Sequence, residues 1–248
     1  MSPSSFNSRP VRAVILAAGH GSRMGCLTAD RPKAMLEVDG LSLIEREIDA
    51  LAAAGVTDVT VVVGYQQQRL RAHLGGRVRF VENARYRETN SLYSLSLARE
   101  TLRQGTLVLN SDILVSRELI ARLVEAPVDD AVLVDSSSIL AEEEMKVRIW
   151  QGFAVDFSKE LRAQDAHAEN VGILKFGAPG GRRLLAHLDG LLAAGYENAW
   201  APMAFRAFAQ GWPLRAIPVD GLPWTEIDFP EDLERARQLV AAPISRRS

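Results

Sequence analysis

The chain has 248 residues, 47% of them hydrophobic and 24% charged, with a formal net charge of −2. That is enough for one large α/β domain or two small ones with a real core, and the near-neutral balance excludes a global basic field that would draw it to nucleic acid or to a membrane surface. A single cysteine, Cys26, excludes an intrachain disulfide and a cysteine-based metal cluster.

Residues 1–10 are polar, contain proline and have no apolar core of a signal peptide, so a disordered leader on a cytoplasmic protein is expected. Residues 11–17 predict a buried strand. Over 42–54, Leu43, Ile44, Ile48 and Leu51 share one helical face, Ser42 can cap the start and Gly55 can end it. A second buried strand is expected at 58–63, a helix at 66–74 and a short strand at 78–81. A helix follows at 91–102, with Leu92, Leu95 and Leu102 on one side. Strand 106–110 runs into Ser111-Asp112, and helix 116–125 leads to strand 131–135. Strand and helix in alternation imply a parallel sheet with helices on both faces.

The pattern changes after Ser138. Strands 146–150 and 153–157 flank Gln151-Gly152, a hairpin signal. Another strand is expected at 173–176, helices at 180–194 and 199–209, a strand at 214–219 and a closing helix at 231–241. Residues 242–248 read as a disordered tail. No apolar stretch is long enough to span a bilayer. The expected fold is α/β: a doubly wound, mostly parallel sheet in one domain over 11–241, with a small, partly antiparallel insertion at about 138–178.

The strongest functional signal follows the first strand: Leu16-Ala17-Ala18-Gly19-His20-Gly21-Ser22-Arg23, then Pro32-Lys33-Ala34-Met35-Leu36. An apolar run into a glycine turn, an arginine at its exit and a lysine beyond suit a backbone cradle for a triphosphate. A dinucleotide fingerprint needs a third glycine where Met24 stands, and the Gly-Lys-Ser/Thr of a Walker loop is absent, so a dinucleotide-dependent oxidoreductase is disfavoured. Arg23 either meets the β- or γ-phosphate or anchors the loop to an acid. Lys33 is either a solvated loop lysine or a fixed positive charge, and its apolar neighbours favour the second. His20 contributes its backbone; the other histidines, His73, His167 and His187, are scattered without zinc-site spacing.

Asp112 sits at the carboxyl end of a buried strand, where open α/β sheets bind ligands. It reads equally as a cap for the helix near Ser116, and Asp228 as a cap for the last helix. Taken together, two hard carboxylates suit Mg²⁺. Glu226 shares a face with Asp228 on an extended segment and can reach the same ion or its waters. Asn90, Ser91 and Ser94 serve a base edge or ribose, or else cap a helix. Tyr93, Trp150, Trp200 and Trp224 are either core or a wall for a cation.

The glycine loop, Leu27-Thr28 and Pro32-Lys33-Ala34-Met35-Leu36 resemble the sugar-phosphate nucleotidyltransferase-like family. One departure is Cys26, where that family often has proline. Glu88-Thr89-Asn90-Ser91-Leu92-Tyr93-Ser94-Leu95, Glu143-Glu144-Met145-Lys146-Val147, Ser158-Lys159-Glu160, Glu169-Asn170-Val171-Gly172 and Trp224-Thr225-Glu226-Ile227-Asp228 resemble its choline-phosphate, aminoethylphosphonate and phosphonate cytidylyltransferase subgroup. The resemblance implies a Rossmann-like nucleotidyltransferase fold. It implies nucleotide contacts from Leu16 through the glycine loop to Arg23, and from Lys33, Asn90, Ser91, Ser94 and Ser111. Lys33, Arg23, Asp112 and Asp228 would be catalytic, and Asp112, Asp228 and Glu226 would hold Mg²⁺. Lys146, Lys159, Glu169, Trp224 and Glu226 would meet the acceptor. The implied activity is Mg²⁺-dependent transfer of CMP from CTP to a small phosphate or phosphonate, with pyrophosphate leaving. A sugar- or polyol-phosphate enzyme using another NTP is the alternative, and an inactive nucleotide sensor is the alternative of another class. Trp200-Ala201-Pro202 stands where an acid for a cationic acceptor is expected, which weakens the assignment to a cationic acceptor and leaves acceptor identity open. No nucleic-acid or membrane partner is expected, and a homodimer is left open.

Overall fold

The computed structural model describes residues 12–138 and 140–241. The expected leader at 1–10 and tail at 242–248 lie outside the described residues. In chain order the strands are β1 (Arg12–Ala17), β2 (Glu37–Val38), β3 (Leu41–Ser42), β4 (Asp58–Val63), β5 (Arg79–Glu82), β6 (Thr106–Asn110), β7 (Ile113–Val115), β8 (Ala131–Asp135), β9 (Lys146–Trp150), β10 (Phe153–Ser158), β11 (Ala168–Phe176), β12 (Arg215–Pro218) and β13 (Trp224–Glu226). The helices are α1 (Leu43–Ala53), α2 (Gln67–Leu74), α3 (Ser91–Leu97), α4 (Arg99–Leu102), α5 (Arg117–Glu125), α6 (Ala178–Ala193), α7 (Pro202–Ala209) and α8 (Pro230–Ala241).

Nine strands form one sheet in the order β5-β4-β1-β6-β11-β8-β12-β10-β9. The half from β5 to β6 is parallel. The antiparallel pairing expected for the insertion reaches into the middle of the sheet. β11 lies in the middle of the sheet, antiparallel to both β6 and β8. Its length and near-complete burial explain the placement, because a strand covered on both faces belongs in the interior. The β9–β10 hairpin forms as expected, its turn made by Gln151 and Gly152, both at positive φ.

Side chains alternate across the sheet with period two. On β1, Ala13, Ile15 and Ala17 enter the core under α1, α2 and α5. Val14 and Leu16 enter the opposite core, under α3, α6 and α7. β6 and β8 split their residues in the same way. Ser42 caps α1 in a full capping box with Glu45. The single helix expected over 91–102 breaks at Ala98, whose ψ of 26° leaves the helical range.

A third apolar cluster fixes the site. Met24, Leu36, Leu43, Leu114, Ile227 and Leu233 pack together, joining the segment after the glycine loop to β7, β13 and α8. Within the large sheet the next strand after β1 in sequence, β4, lies on one side of it, while β6 pairs on the other. The crevice at the carboxyl ends of β1 and β6 is therefore the topological switch point, the usual place for a ligand in an open α/β sheet.

Candidate active site

A cleft of about 340 Å³ opens at that switch point. Leu16, Ala17, Ala18, Gly19, Gly21, Ser22 and Arg23 line one side. Gly21 has φ 66°, and a Cβ there would meet the Cβ of Lys33 at 3.0 Å, so glycine is required by both backbone and space. The amide of Met24 and the hydroxyl of Thr28 donate to the Gly21 carbonyl, at 3.0 and 2.9 Å. The Tyr65 hydroxyl reaches the carbonyls of Thr28 and Ala29. The loop is thus braced from beneath. His20 lies outside the lining, its ring tilted at 57° against that of Tyr65 with centroids 4.1 Å apart.

The acids come together through a short ladder. β13 pairs antiparallel with β7, setting Glu226 opposite Ile113, and the amide of Ile227 donates to the carbonyl of Asp112 at 2.8 Å. Asp112, Glu226 and Asp228 each bring a carboxylate oxygen within 4.8 Å of the others. Lys33 stands between two of them, its Nζ 2.7 Å from Asp112 Oδ2 and 2.7 Å from Asp228 Oδ1. Burial alone would lower the pKa of that ammonium, but the two carboxylates outweigh it and the net shift is upward. Glu226 moves the other way: burial first, then the charges of Asp112 and Asp228, push its carboxyl up to about 8 against the opposing pull of Lys33.

The helix-cap reading fails for both aspartates. Ser116 caps α5, and Asp232 accepts from the amides of Asp228 and Phe229 at the start of α8. Asp228 instead takes Arg23 at 2.8 Å, and the Arg23 guanidinium also lies over Phe229. Arg23 therefore anchors the loop to an acid here. Lys33 is far from a solvated loop lysine, with 12% of its side chain exposed.

Three hard oxygen ligands at this spacing match the chemistry of a small divalent cation. Asp112 Oδ1 is buried with no hydrogen-bond partner among the described residues, an orphan that a cation would satisfy. The donor set fits a metal.

Asn90, Ser91, Ser94, Ser111, Lys159 and Glu226 also line the cleft. Asn90 caps α3 as well, accepting from the Ser91 amide, and the Ser91 hydroxyl accepts from the amide of Ala201 at 2.8 Å. Lys159 Nζ lies 4.4 Å from the Trp200 ring centroid and 3.3 Å from Glu143. Three expected acceptor residues are placed elsewhere. Lys146 is buried and its ammonium donates to the Lys159 carbonyl at 2.6 Å. Trp224 donates its indole N–H to Asp135 at 2.7 Å. Glu169, paired in register with Asp135, sits beside the cleft and off its lining; burial pushes its pKa up, and a hydrogen bond from Ser138 offsets part of that.

Of the four candidate wall aromatics, Trp200 lines the cleft. Trp150 is exposed on the hairpin, and Tyr93 lies under Arg85. The sequence reading gave no site role to Asn83, Tyr86, Thr89, Asn110, Glu143 and Asn170, all on the lining, although Thr89, Glu143 and Asn170 stand in the motifs quoted above. Asn110 ends β6 and Asn83 directly follows β5. The rule that pointed to Asp112, a polar residue at a strand's carboxyl end, would have found both.

Residues 13–198 match the family model described as a MobA-like NTP transferase domain. The CTP:phosphoglutamine cytidylyltransferase of Campylobacter jejuni is 28% identical, covering 90% of this chain and 98% of that protein. The 2-aminoethylphosphonate cytidylyltransferase of Lancefieldella rimae is 32% identical, covering 92% of each. Among solved structures, the CTP:phosphocholine cytidylyltransferase of Streptococcus pneumoniae superposes with a TM-score of 0.78 at 23% identity, over 92% of this chain and 98% of that one; this likeness establishes the fold. The chain belongs to the MobA-like NTP transferase family and is a nucleotidyltransferase. The expected cytidylyltransferase kinship and the Rossmann-like α/β fold both hold. Among the described residues no helix is long and apolar enough to cross a membrane.

Proposed function

We propose that this enzyme transfers CMP from CTP to a small phosphate or phosphonate acceptor, with Mg²⁺ bound by Asp112, Asp228 and Glu226. The observation that carries the reading is the cluster of three carboxylates with Lys33 between two of them, at the foot of a glycine loop whose backbone faces the same cleft. The choice of CTP draws its support from the cytidylyltransferases among the relatives.

The glycine-loop amides bind the triphosphate, and Arg23 holds the loop in place through Asp228. Lys33, freed from its carboxylates by the ligands, meets the charge that builds on the α-phosphate and the departing pyrophosphate. Bound Mg²⁺ would supply further charge neutralisation at the reacting phosphates. The acceptor is already an anion near neutral pH, so no strong base is required. Its oxygen bonds to the α-phosphorus as the bond to the β-phosphate oxygen breaks, in line. On the acceptor side, Lys159 suits the anionic group once it leaves the Glu143 carboxylate and the Trp200 ring that hold it in this structure. Glu143 and the face of Trp200 suit an amine, which favours an amino-bearing acceptor over a sugar phosphate.

A pyrophosphate-release screen crossing four NTPs with phosphates and phosphonates tests this. CTP should lead with an amino-bearing acceptor, and release should require both substrates. Equal rates with CTP and UTP would refute the choice of base, and a preference for sugar phosphates would refute the choice of acceptor.

A further inference from the structure

Asn83 follows β5 at the edge of the cleft and is 1% exposed. Its hydrogen bonds fix the direction of a short polar chain, and both ends of that chain are backbone groups.

At one end, the amide N–H of Arg85 donates to Asn83 Oδ1 at 2.9 Å. A backbone N–H can only donate, so the side-chain amide cannot be flipped. Its two protons therefore go to Thr89 Oγ1 at 3.1 Å and to Ser94 Oγ at 3.0 Å. At the other end, the Thr89 hydroxyl donates to the Arg85 carbonyl at 2.8 Å, which can only accept. The Ser94 hydroxyl is thus obliged to accept from Asn83. Its own proton has no acceptor among the described residues, and Ser94 lines the cleft. The wall offers at Ser94 an unpaired O–H beside one remaining lone pair, and it is Asn83 that leaves this proton without a partner.

A donor there discriminates between pyrimidines. Ring nitrogen N3 of cytosine is an acceptor, whereas the same position in uracil carries a proton. We propose that Asn83 is a positioning residue that holds the Ser94 hydroxyl as a donor to N3 of the cytosine ring, and so sets CTP above UTP. The inference rests on the reading that this enzyme takes CTP, with the base against the start of α3. Uracil N3–H could be met only by the second lone pair of that hydroxyl, which leaves the hydroxyl's own proton unpaired at a residue only 4% exposed.

Asn83→Asp reverses the chain. A carboxylate still accepts from the Arg85 amide but gives nothing to Ser94, whose hydroxyl then donates to residue 83 and turns a lone pair to the cleft. The test is the dissociation constants of CMP and UMP, measured by calorimetry, with the CTP-to-UTP ratio of kcat/KM at saturating acceptor alongside. The wild type should prefer the cytosine nucleotide. In Asn83→Asp that preference should fall on the order of tenfold, with CMP binding weakened and UMP binding unchanged or tighter. Ser94→Ala should lower the preference too, through CMP alone, and it decides the matter if circular dichroism finds Asn83→Asp unfolded. A role limited to packing would weaken both nucleotides alike and keep their ratio. A wild type without preference refutes the CTP reading. A wild type with preference that a folded Asn83→Asp retains, or that Ser94→Ala retains, overturns the role of Asn83 while leaving the CTP reading intact.

Discussion

Replacing Lys33 with alanine removes the only partner that Asp112 has in a salt bridge among the described residues, and one of two that Asp228 has. Three carboxylates within 4.8 Å of one another are then left with Arg23 alone, bonded to the outer oxygen of Asp228. Removing one member of a buried ion pair costs about 3–5 kcal/mol. The acids keep some contact with water, so the lower end applies. At about 2–4 °C per kcal/mol for a chain of this size, the ligand-free Tm should fall by about 6–12 °C. Added Mg²⁺ supplies the missing charge, and at a hundred times its Kd it would return about 2.7 kcal/mol. Turnover should not return with it, because the positive charge near the α-phosphate is gone, a loss on the order of 10²–10³ in rate. The assay is a thermal melt with and without Mg²⁺, paired with pyrophosphate release. Near-normal turnover, or a Tm that neither falls nor responds to Mg²⁺, would refute the reasoning.

Asp112→Asn and Asp228→Asn should each remove most Mg²⁺-dependent turnover, and the double variant should be little worse, since ligands of one ion act as a unit. Their ligand-free Tm should change little: repulsion is relieved, but Lys33 loses one of its two partners. Glu47 on α1 is buried with both carboxylate oxygens unpartnered among the described residues. Burial, with the charge of Asp112 added, holds its pKa well above the ordinary 4.5. A raised carboxyl costs nothing while it is protonated in both states, at about pH 4 and below, and destabilises increasingly as pH climbs toward its folded value. The Tm advantage of Glu47→Gln over the wild type should accordingly be absent in acid and grow toward neutral pH; a constant difference across that range would contradict the shift.

The parallel half of the fold was legible because its strands are short apolar runs. The expected bounds for β4, β6 and β8 agree with those observed, and Ser42 and Gln151-Gly152 marked their cap and turn by chemistry that is local. β7 and β13 went unseen. Each has three residues, too few for a periodic signal, and they pair across a long stretch of sequence. Yet that ladder is what unites Asp112 with Glu226 and Asp228. Side-chain destinations were harder still. Lys146 and Trp224 carry the right groups for a site, but the Lys159 carbonyl and Asp135 claim them, and tertiary partners of that kind leave no mark in spacing.

The most direct test of the account is phosphorus NMR of the purified protein with CTP, Mg²⁺ and 2-aminoethylphosphonate or choline phosphate. The account predicts equal amounts of free pyrophosphate and of a new product in which the acceptor phosphorus is joined through oxygen to CMP, both abolished by a chelator and by Asp112→Asn. Pyrophosphate formed without incorporation of any acceptor, or a joined product that persists in Asp112→Asn, would contradict it.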